Sequence, residues 1–394
     1  MSDPTSRRDL IIGEAPGTDE QVHAPVRELL ARLHRQKPRV LGFPTDLAND
    51  FSEAGALLSM LTNNAGDPAR SDAAGNDTKP MERAVIAWFT ALAEGDPHRT
   101  YGYVTGSGSE GILFGLYTGR RRLPRAPLYT CAEAHYSIRK AACLLRMDLV
   151  EVACRADGSM DPDALHAACR ARRRRDTLTG RRPRGAVIAA TVGSTIRGAV
   201  DDLPALRAAA APAGAVHLHN DAALGGLIAA FSPSRPAWNL DQGADSLSIS
   251  GHKLLGCPVP CGIVLTPARL VAPAPVGAYL GTDDHTLGCS RSGLAAALLW
   301  MRLRRLGTSG VRDLVHHCQD TAAYAHTALT QAQAHPERLP DAITVTFDRP
   351  PQEISARWHL ATQGGRAHLI TMPHVTRHAV DALCADLTRT GRNR

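Results

Sequence analysis

The stretch Ser246-Leu-Ser-Ile-Ser-Gly-His-Lys253 decides the fold. Its first five residues alternate serine with apolar residues, which is typical of a β-strand. A lysine at a strand end, flanked by small and hydroxyl residues, can be held in a desolvated pocket. Its pKa falls there, and its amine becomes nucleophilic toward an aldehyde. Ser250 and His252 can donate hydrogen bonds to a phosphate. The alternative, an exposed lysine in a turn, is disfavoured by Gly251 and by the following Leu254-Leu-Gly256.

A second strand-like stretch, His217-Leu-His-Asn-Asp-Ala-Ala223, carries an acidic residue at its carboxyl end. Ligands bind at that end of the strands in open parallel sheets. A carboxylate there can pair with a protonated pyridine nitrogen, so Asp221 is a candidate partner for such a ring. His217 and His219 share one face of this strand. A metal pair is the alternative, but buried, hydrogen-bonded histidines are the favoured interpretation.

Two further motifs lie upstream. Gly106-Ser-Gly-Ser-Glu-Gly111 separates a predicted strand from a predicted helix, which favours a phosphate site built from backbone N–H groups over a plain tight turn. The motif also fits GxGxxG, and Glu133 lies 22 residues beyond Gly111, so a dinucleotide site stays open at this point. His135, just after the next strand, could stack on a cofactor ring.

The pattern along the chain predicts an α/β fold. Strand-like runs alternate with helical stretches, which indicates a mostly parallel central sheet covered by helices on both faces. The predicted strands are 101–105, 127–131, 149–154, 186–191, 216–220, 246–250 and 262–265. We predict an N-terminal segment (1–75), a large cofactor-binding domain (76–290) and a smaller α+β C-terminal domain (291–394).

Composition narrows the function classes. The net charge of +7 sits in short arginine clusters with few aromatics nearby (4% overall), so we expect a solvated surface and no nucleic-acid partner. The chain shows no apolar stretch of membrane-spanning length and no signal peptide, and its nine cysteines are scattered. A reduced, cytoplasmic protein without a structural metal is therefore expected.

In this order, the motifs resemble the group II enzymes among the amino-acid decarboxylases that depend on pyridoxal 5′-phosphate (PLP), which have fold type I. The similarity is greatest to the short histidine decarboxylases and the related serine decarboxylases, and it covers nearly the whole chain. Ser250-Gly-His-Lys253 followed by Pro258-Val-Pro-Cys-Gly262 is its most specific part. Similar strings also occur at Leu41-Gly-Phe-Pro44, Asn63-Asn-Ala-Gly-Asp-Pro68, Gly193-Ser-Thr-Ile-Arg-Gly-Ala-Val-Asp-Asp202 and Met372-Pro-His-Val-Thr-Arg377.

The resemblance implies catalytic roles. Lys253 would bind the cofactor covalently, Asp221 would pair with the pyridine nitrogen, and His135 would stack on the ring. Tyr279 would protonate the product carbanion, and Arg291 would face the substrate carboxylate. A homodimer with the active site at its interface is also implied.

The resemblance further implies a set of cofactor contacts on the phosphate, the 3-hydroxyl side and the second face of the ring, formed by Gly108, Ser109, Ser250, His252, Thr195 and Ala223. Two departures from the subgroup, Ile112 and Ser292, fall at expected substrate-binding positions. L-histidine is the leading substrate. The alternatives are serine, another small polar amino acid, a specialised-metabolite precursor, or decarboxylation coupled to transamination or oxidation. A nicotinamide-dependent dehydrogenase is a distant alternative.

Overall fold

The computed structural model describes residues 10–71, 74–272 and 284–391. Its centre is a seven-stranded sheet with the order β1-β7-β6-β5-β4-β2-β3. Strands β2 to β6 run parallel, and β7 runs antiparallel to both β1 and β6. The strands are β1 (Thr100–Thr105), β2 (Leu128–Cys131), β3 (Leu149–Val152), β4 (Ala186–Thr191), β5 (Val216–Asp221), β6 (Ser246–Ser250) and β7 (Gly262–Pro267).

Helices cover both faces of this sheet. Every residue of β4, β5 and β6 is buried, as expected for parallel strands in the middle of three layers. The predicted strands and the mostly parallel sheet are therefore confirmed. The helices of this part are α2 (Lys79–Leu92), α3 (Gly108–Arg122), α4 (Ser137–Leu144), α5 (Pro162–Leu178), α6 (Leu203–Ala209) and α7 (Gly225–Phe231).

Helix α3 packs unusually close to the sheet because its inner face is made of glycine. A Cβ atom added to any of four glycines on this face would lie within 3.0 Å of a side chain on β5 or β6. The glycines are Gly108, Gly111, Gly115 and Gly119, which face Ser250, Ser248, His219 and His217 in that order. The glycine face sets the distance between the start of α3 and the carboxyl end of β6.

The C-terminal part combines long helices with a small antiparallel sheet. Helix α8 (Gly293–Gln331) is interrupted at Gly307, whose φ of 61° and ψ of 179° are not helical. The sequence pattern predicts two helices here, 293–306 and 311–334, and the break at Gly307 lies between them. The sheet has the order β8-β10-β9, and the remaining elements are β8 (Thr344–Asp348), α9 (Gln352–Arg357), β9 (Ala361–Gln363), β10 (Arg366–Ile370) and α10 (Arg377–Gly391).

The N-terminal region joins the other two parts. Helix α1 (Asp19–Gln36) starts at a capping box formed by Thr18 and has no buried residue. The segment after it is tied to the C-terminal sheet, since Leu41 N–H donates to the carbonyl of Trp358 and Ile370 N–H donates to the carbonyl of Leu41. No helix within the described ranges has the length and apolar character needed to cross a membrane.

Candidate active site

Lys253 lies in the turn that follows β6. The backbone of this turn is held in place by two hydrogen bonds. The carbonyl of Lys253 accepts them from the N–H groups of Asp46 (3.2 Å) and Gly256 (3.0 Å). Burial lowers the pKa of the Lys253 ammonium, and the carboxylate of Asp221 opposes that shift. The lysine is thereby brought toward the neutral, nucleophilic form that the sequence predicts.

Asp221 ends β5, next to β6, and is 4% exposed. Its Oδ1 accepts a hydrogen bond from the N–H of Ala223 at 3.2 Å. Burial raises the pKa of this carboxyl, while Lys253 and His135 oppose the rise. Burial in turn lowers the pKa of His135, against the effect of Asp221. The structure therefore brings Lys253, Asp221 and His135 close enough together to perturb one another's charge, although they come from the end of β5 and from two separate turns.

The His135 ring is oriented from its own loop. Its Nδ1 lies 2.6 Å from the hydroxyl of Ser137 and 3.3 Å from the Ser137 N–H, at the start of α4. An imidazole fixed through Nδ1 presents its face in one direction. This is the arrangement needed by a residue that stacks on a flat ring.

The glycine turn forms a cradle at the start of α3. The hydroxyl of Ser107 accepts from the N–H of Glu110 at 3.1 Å, and the N–H groups of Gly108 and Ser109 precede the first intrahelical hydrogen bonds. A Cβ on Gly108 would lie 2.4 Å from the hydroxyl oxygen of Ser250. Free N–H groups, a buried hydroxyl and the positive end of a helix therefore meet at one point, as a phosphate requires.

Below the cradle, His217 and His219 form a buried polar ladder with the serines of β6. His219 Nδ1 lies 2.9 Å from Ser246 Oγ, and His217 Nε2 lies 3.1 Å from the carbonyl of Gly115. Both rings are 0% exposed. Burial lowers the pKa of His217 to about 4 and the pKa of His219 to about 3. The interpretation as buried, hydrogen-bonded histidines is confirmed.

A cavity of about 490 Å³ opens beside Lys253. Its walls come from the region after α1, from the lysine turn and from the start of the C-terminal sheet. The residues that line it are Gln36, Val40, Phe43, Pro44, Thr45, His252, Lys253 and His359. His252 is oriented by a hydrogen bond of 2.8 Å from Nδ1 to the carbonyl of Cys261.

The structure does not support the predicted carboxylate-binding role of Arg291. Its guanidinium is buried and forms an ion pair with Glu82, which is 0% exposed. Two backbone carbonyls, of Val104 (3.1 Å) and Gly66 (3.0 Å), accept its other hydrogen bonds. Arg291 therefore joins the segment before α8 to α2 and β1 in the interior. The ion pair with Glu82 already compensates its charge, and these contacts take up three of its five N–H donors.

The other predicted substrate residues also lie apart from this cavity. Ile112 is 2% exposed and packs in the apolar core under α3, because it lies on the inner side of that helix. Ser292 is an exposed helix cap whose hydroxyl accepts from the N–H of Ala295. Thr195, which was predicted to contact the cofactor, is exposed in the turn after β4. Tyr279 lies outside the described residues.

Sequence reasoning missed several residues of the site. Phe43 and Pro44 stand in a string quoted for the resemblance, but nothing local assigned them to the wall of a cavity. Thr45 and His359 carried no signal at all, because their position depends on contacts between distant parts of the chain. Glu82 could have been noticed as an acidic residue on the apolar side of a helix.

Comparison with known proteins agrees with this geometry. The pyridoxal-dependent decarboxylase conserved domain matches residues 120–342. The chain belongs to the pyridoxal-dependent decarboxylase family. It is 33% identical over 377 residues to serine decarboxylase 3 of Oryza sativa subsp. japonica, covering 93% of this chain and 82% of that one. It is also 33% identical to a histidine decarboxylase of Mesorhizobium japonicum over 368 residues, covering 93% and 97% of the two chains.

The fold of this family member is shared with a solved structure of L-methionine decarboxylase from Streptomyces sp. 590. The TM-score is 0.87 with 97% of each chain covered, although only 23% of the residues are identical. The rival dinucleotide site does not fit, because β1 is an edge strand paired antiparallel to β7, and the βαβ dinucleotide motif needs a parallel neighbour.

The residues present fit PLP, the cofactor of this family. The N–H groups of Gly108 and Ser109 at the start of α3, with the hydroxyl of Ser250 close beside Gly108, supply the donors that a phosphate group needs. Asp221 supplies a buried carboxylate for a cationic ring nitrogen, and Lys253 supplies an amine of lowered pKa for an aldehyde. The chain is a PLP-dependent amino-acid decarboxylase.

Proposed function

We propose that this enzyme converts an L-amino acid with an uncharged side chain to its amine and CO2, with L-histidine as the leading substrate. The observation that carries the proposal is the group formed by Lys253, Asp221 and His135 at one sheet edge, beside a cavity of amino-acid size. Serine or another small polar amino acid is the alternative that the similarity to serine decarboxylases supports. A reaction coupled to transamination or oxidation remains a second alternative.

Each residue has a defined task in this proposal. PLP supplies an aldehyde that condenses with amines and a ring that takes up the electron pair left when CO2 departs. Asp221 accepts a hydrogen bond from the protonated ring nitrogen, whose positive charge favours the ionised carboxylate over the neutral form that burial promotes. His135 covers one face of the ring and excludes water from it.

Lys253 acts twice. Its amine, whose pKa is lowered by burial, would hold the cofactor before the substrate arrives. When the substrate amine takes that place, the released Lys253 amine would take up a proton from the substrate ammonium group and deliver it to Cα after CO2 has left. Tyr279, which the resemblance assigns to this protonation, is the other candidate for that proton transfer.

We also propose a homodimer with the active site at its interface. Helix α1 presents five apolar side chains on one face, with no partner among the described residues, and their spacing is that of a helix–helix contact. They are Val22, Val26, Leu29, Leu30 and Leu33, which are 41–54% exposed. The same helix of a second copy is the proposed partner. A cytoplasmic location stays a prediction from sequence.

The test is CO2 release from a panel of amino acids by purified enzyme, with the product identified by mass spectrometry. We expect amine and CO2 in equal amounts from one uncharged amino acid. Lys253→Ala should abolish release and the visible absorbance of lysine-bound cofactor, whereas Lys140→Ala, which removes an exposed lysine, should retain both. An aldehyde product would contradict the simple decarboxylation.

A further inference from the structure

The cavity beside Lys253 contains an imidazole that the proposed chemistry does not use. His359 lines this cavity, directly after α9 and its C-cap residue Trp358. Its φ is 44°, in the left-handed region that favours glycine. The N–H of Leu360 donates to the carbonyl of Ser355 at 2.9 Å, which completes a common helix ending. A glycine would suit the backbone better, yet the chain places a histidine there.

The backbone conformation alone does not assign a function to His359. Helices α2, α4 and α8 end in the same way, at Glu94, Arg146 and Gln333, each with a positive φ. What distinguishes His359 is that its side chain shares a cavity with the catalytic lysine. Gln333 has the same backbone position on α8 and does not line that cavity.

The backbone of His359 is fixed relative to the adjoining wall of the cavity, which Phe43 forms. The N–H of Gly42 donates to the carbonyl of His359 at 3.1 Å, and a Cβ on Gly42 would lie only 2.4 Å from the backbone nitrogen of Ala361. This close backbone contact places Phe43, the next residue, and His359 as neighbouring walls of one cavity. The backbone that carries the imidazole is thus fixed beside Phe43, which lowers the cost of ordering this wall when a ligand binds.

The chemistry of the walls restricts the ligand. Among the described residues that line the cavity, Val40, Phe43 and Pro44 are apolar, and none carries a carboxylate or a guanidinium. A cationic side chain would find no counter-charge on these walls. Lys253, the one amine among them, has the task of holding the cofactor, so an acidic side chain would lack a dedicated partner as well. An apolar side chain would leave the imidazole without a hydrogen-bond partner.

We propose that His359 is a specificity-determining residue that hydrogen-bonds an uncharged polar group on the substrate side chain. The inference rests on the proposed decarboxylase function. It places substrate selection on the C-terminal domain, while the cofactor is held by the large domain. Amino acids with acidic, guanidinium or ammonium side chains are excluded as good substrates, and those with an imidazole, amide or hydroxyl are favoured.

The test compares His359→Gly with the matched variant Gln333→Gly. Both substitutions remove a side chain from a left-handed position, so neither should lower the thermal midpoint of unfolding. We expect His359→Gly to lower kcat/KM for the best uncharged polar substrate by about tenfold, the effect of one lost hydrogen bond. It should also weaken binding of the product amine, measured by calorimetry, by a similar factor. Gln333→Gly should change neither quantity.

The outcomes separate the two proposals. If the wild-type enzyme releases no CO2 from any amino acid, the proposed function is wrong. If it does, and its best substrate is charged or wholly apolar, the assignment of His359 is overturned. It is also overturned if His359→Gly leaves both measurements within twofold of wild type, or if it lowers kcat/KM equally for polar and apolar amino acids.

Discussion

Replacing Gly115 with alanine tests whether the glycine face of α3 positions the cofactor cradle. The added Cβ would lie 2.0 Å from Nδ1 of His219, against at least 3.4 Å in an ordinary contact, a shortfall of 1.4 Å. The ring cannot easily move away, since it is fully buried and its Nδ1 is bonded to Ser246. Helix α3 must therefore shift away from the sheet.

Overpacking of this kind costs about 1–3 kcal/mol, and a clash with a fixed ring belongs at the upper end, at about 3 kcal/mol. The same shift moves the N–H groups of Gly108 and Ser109 away from Ser250, so cofactor affinity should fall as well. Urea unfolding gives the loss of stability, and a titration with PLP gives the dissociation constant. Gly55→Ala is the control, because a Cβ there would meet nothing within 4 Å.

A double-mutant cycle makes the reasoning refutable. His219→Ala removes the ring that the new methyl group of Gly115→Ala would meet, so the double variant should be more stable than the sum of the two single losses predicts, by at least about 1 kcal/mol. Additive losses would show that the clash is not the cause. A Gly115→Ala enzyme with wild-type stability and cofactor affinity would refute the positioning role of the glycine face.

Two further predictions concern buried charge. The lowered pKa values of His217 and His219 mean that the unfolded chain binds more protons than the folded one between about pH 3 and 6.5. Stability that is complete above pH 6.5 should therefore be lost as the pH falls, by up to about 3 kcal/mol for His217 and about 5 kcal/mol for His219. Urea unfolding at several pH values should show a weaker acid loss for His217→Gln, and an unchanged slope would contradict the assignment. Arg291→Met should lower the free energy of unfolding by about 3–5 kcal/mol, because it leaves the buried Glu82 carboxylate without its ion-pair partner. Adding Glu82→Met to this variant should restore part of the loss. A raised KM with unchanged stability would instead support the carboxylate-binding role of Arg291.

The parts of the site that could be predicted from sequence are those whose signal is local. Asp221 ends one strand of recognisable pattern and Lys253 closely follows another. Because parallel strand ends meet at one sheet edge, their proximity follows from the fold. Arg291 could not be assigned in this way. Its partner Glu82 lies 209 residues earlier in the sequence, and nothing near either residue indicates that the two meet.

The remaining differences have similar causes. Ile112 was expected near the substrate because the resemblance implies a substrate-binding position there, but the close packing of α3 places this residue in the core. The reversed direction of β7 follows from the short connection after β6, which holds no crossover helix, and this could have been predicted. His359 lines the cavity only because the C-terminal sheet packs against the segment after α1.

The pairing of Leu41 with Trp358 and Ile370 also bears on how the enzyme is made. A ribosome releases Leu41 before the strands of the large domain, but both partners lie more than 300 residues further along the chain and emerge after those strands. The large domain can gather its own strands before that moment, because their pairings lie within residues 100–267. The wall of the substrate cavity is therefore expected to form after the large domain, so that a nascent chain can hold a folded cofactor cradle before it can select a substrate.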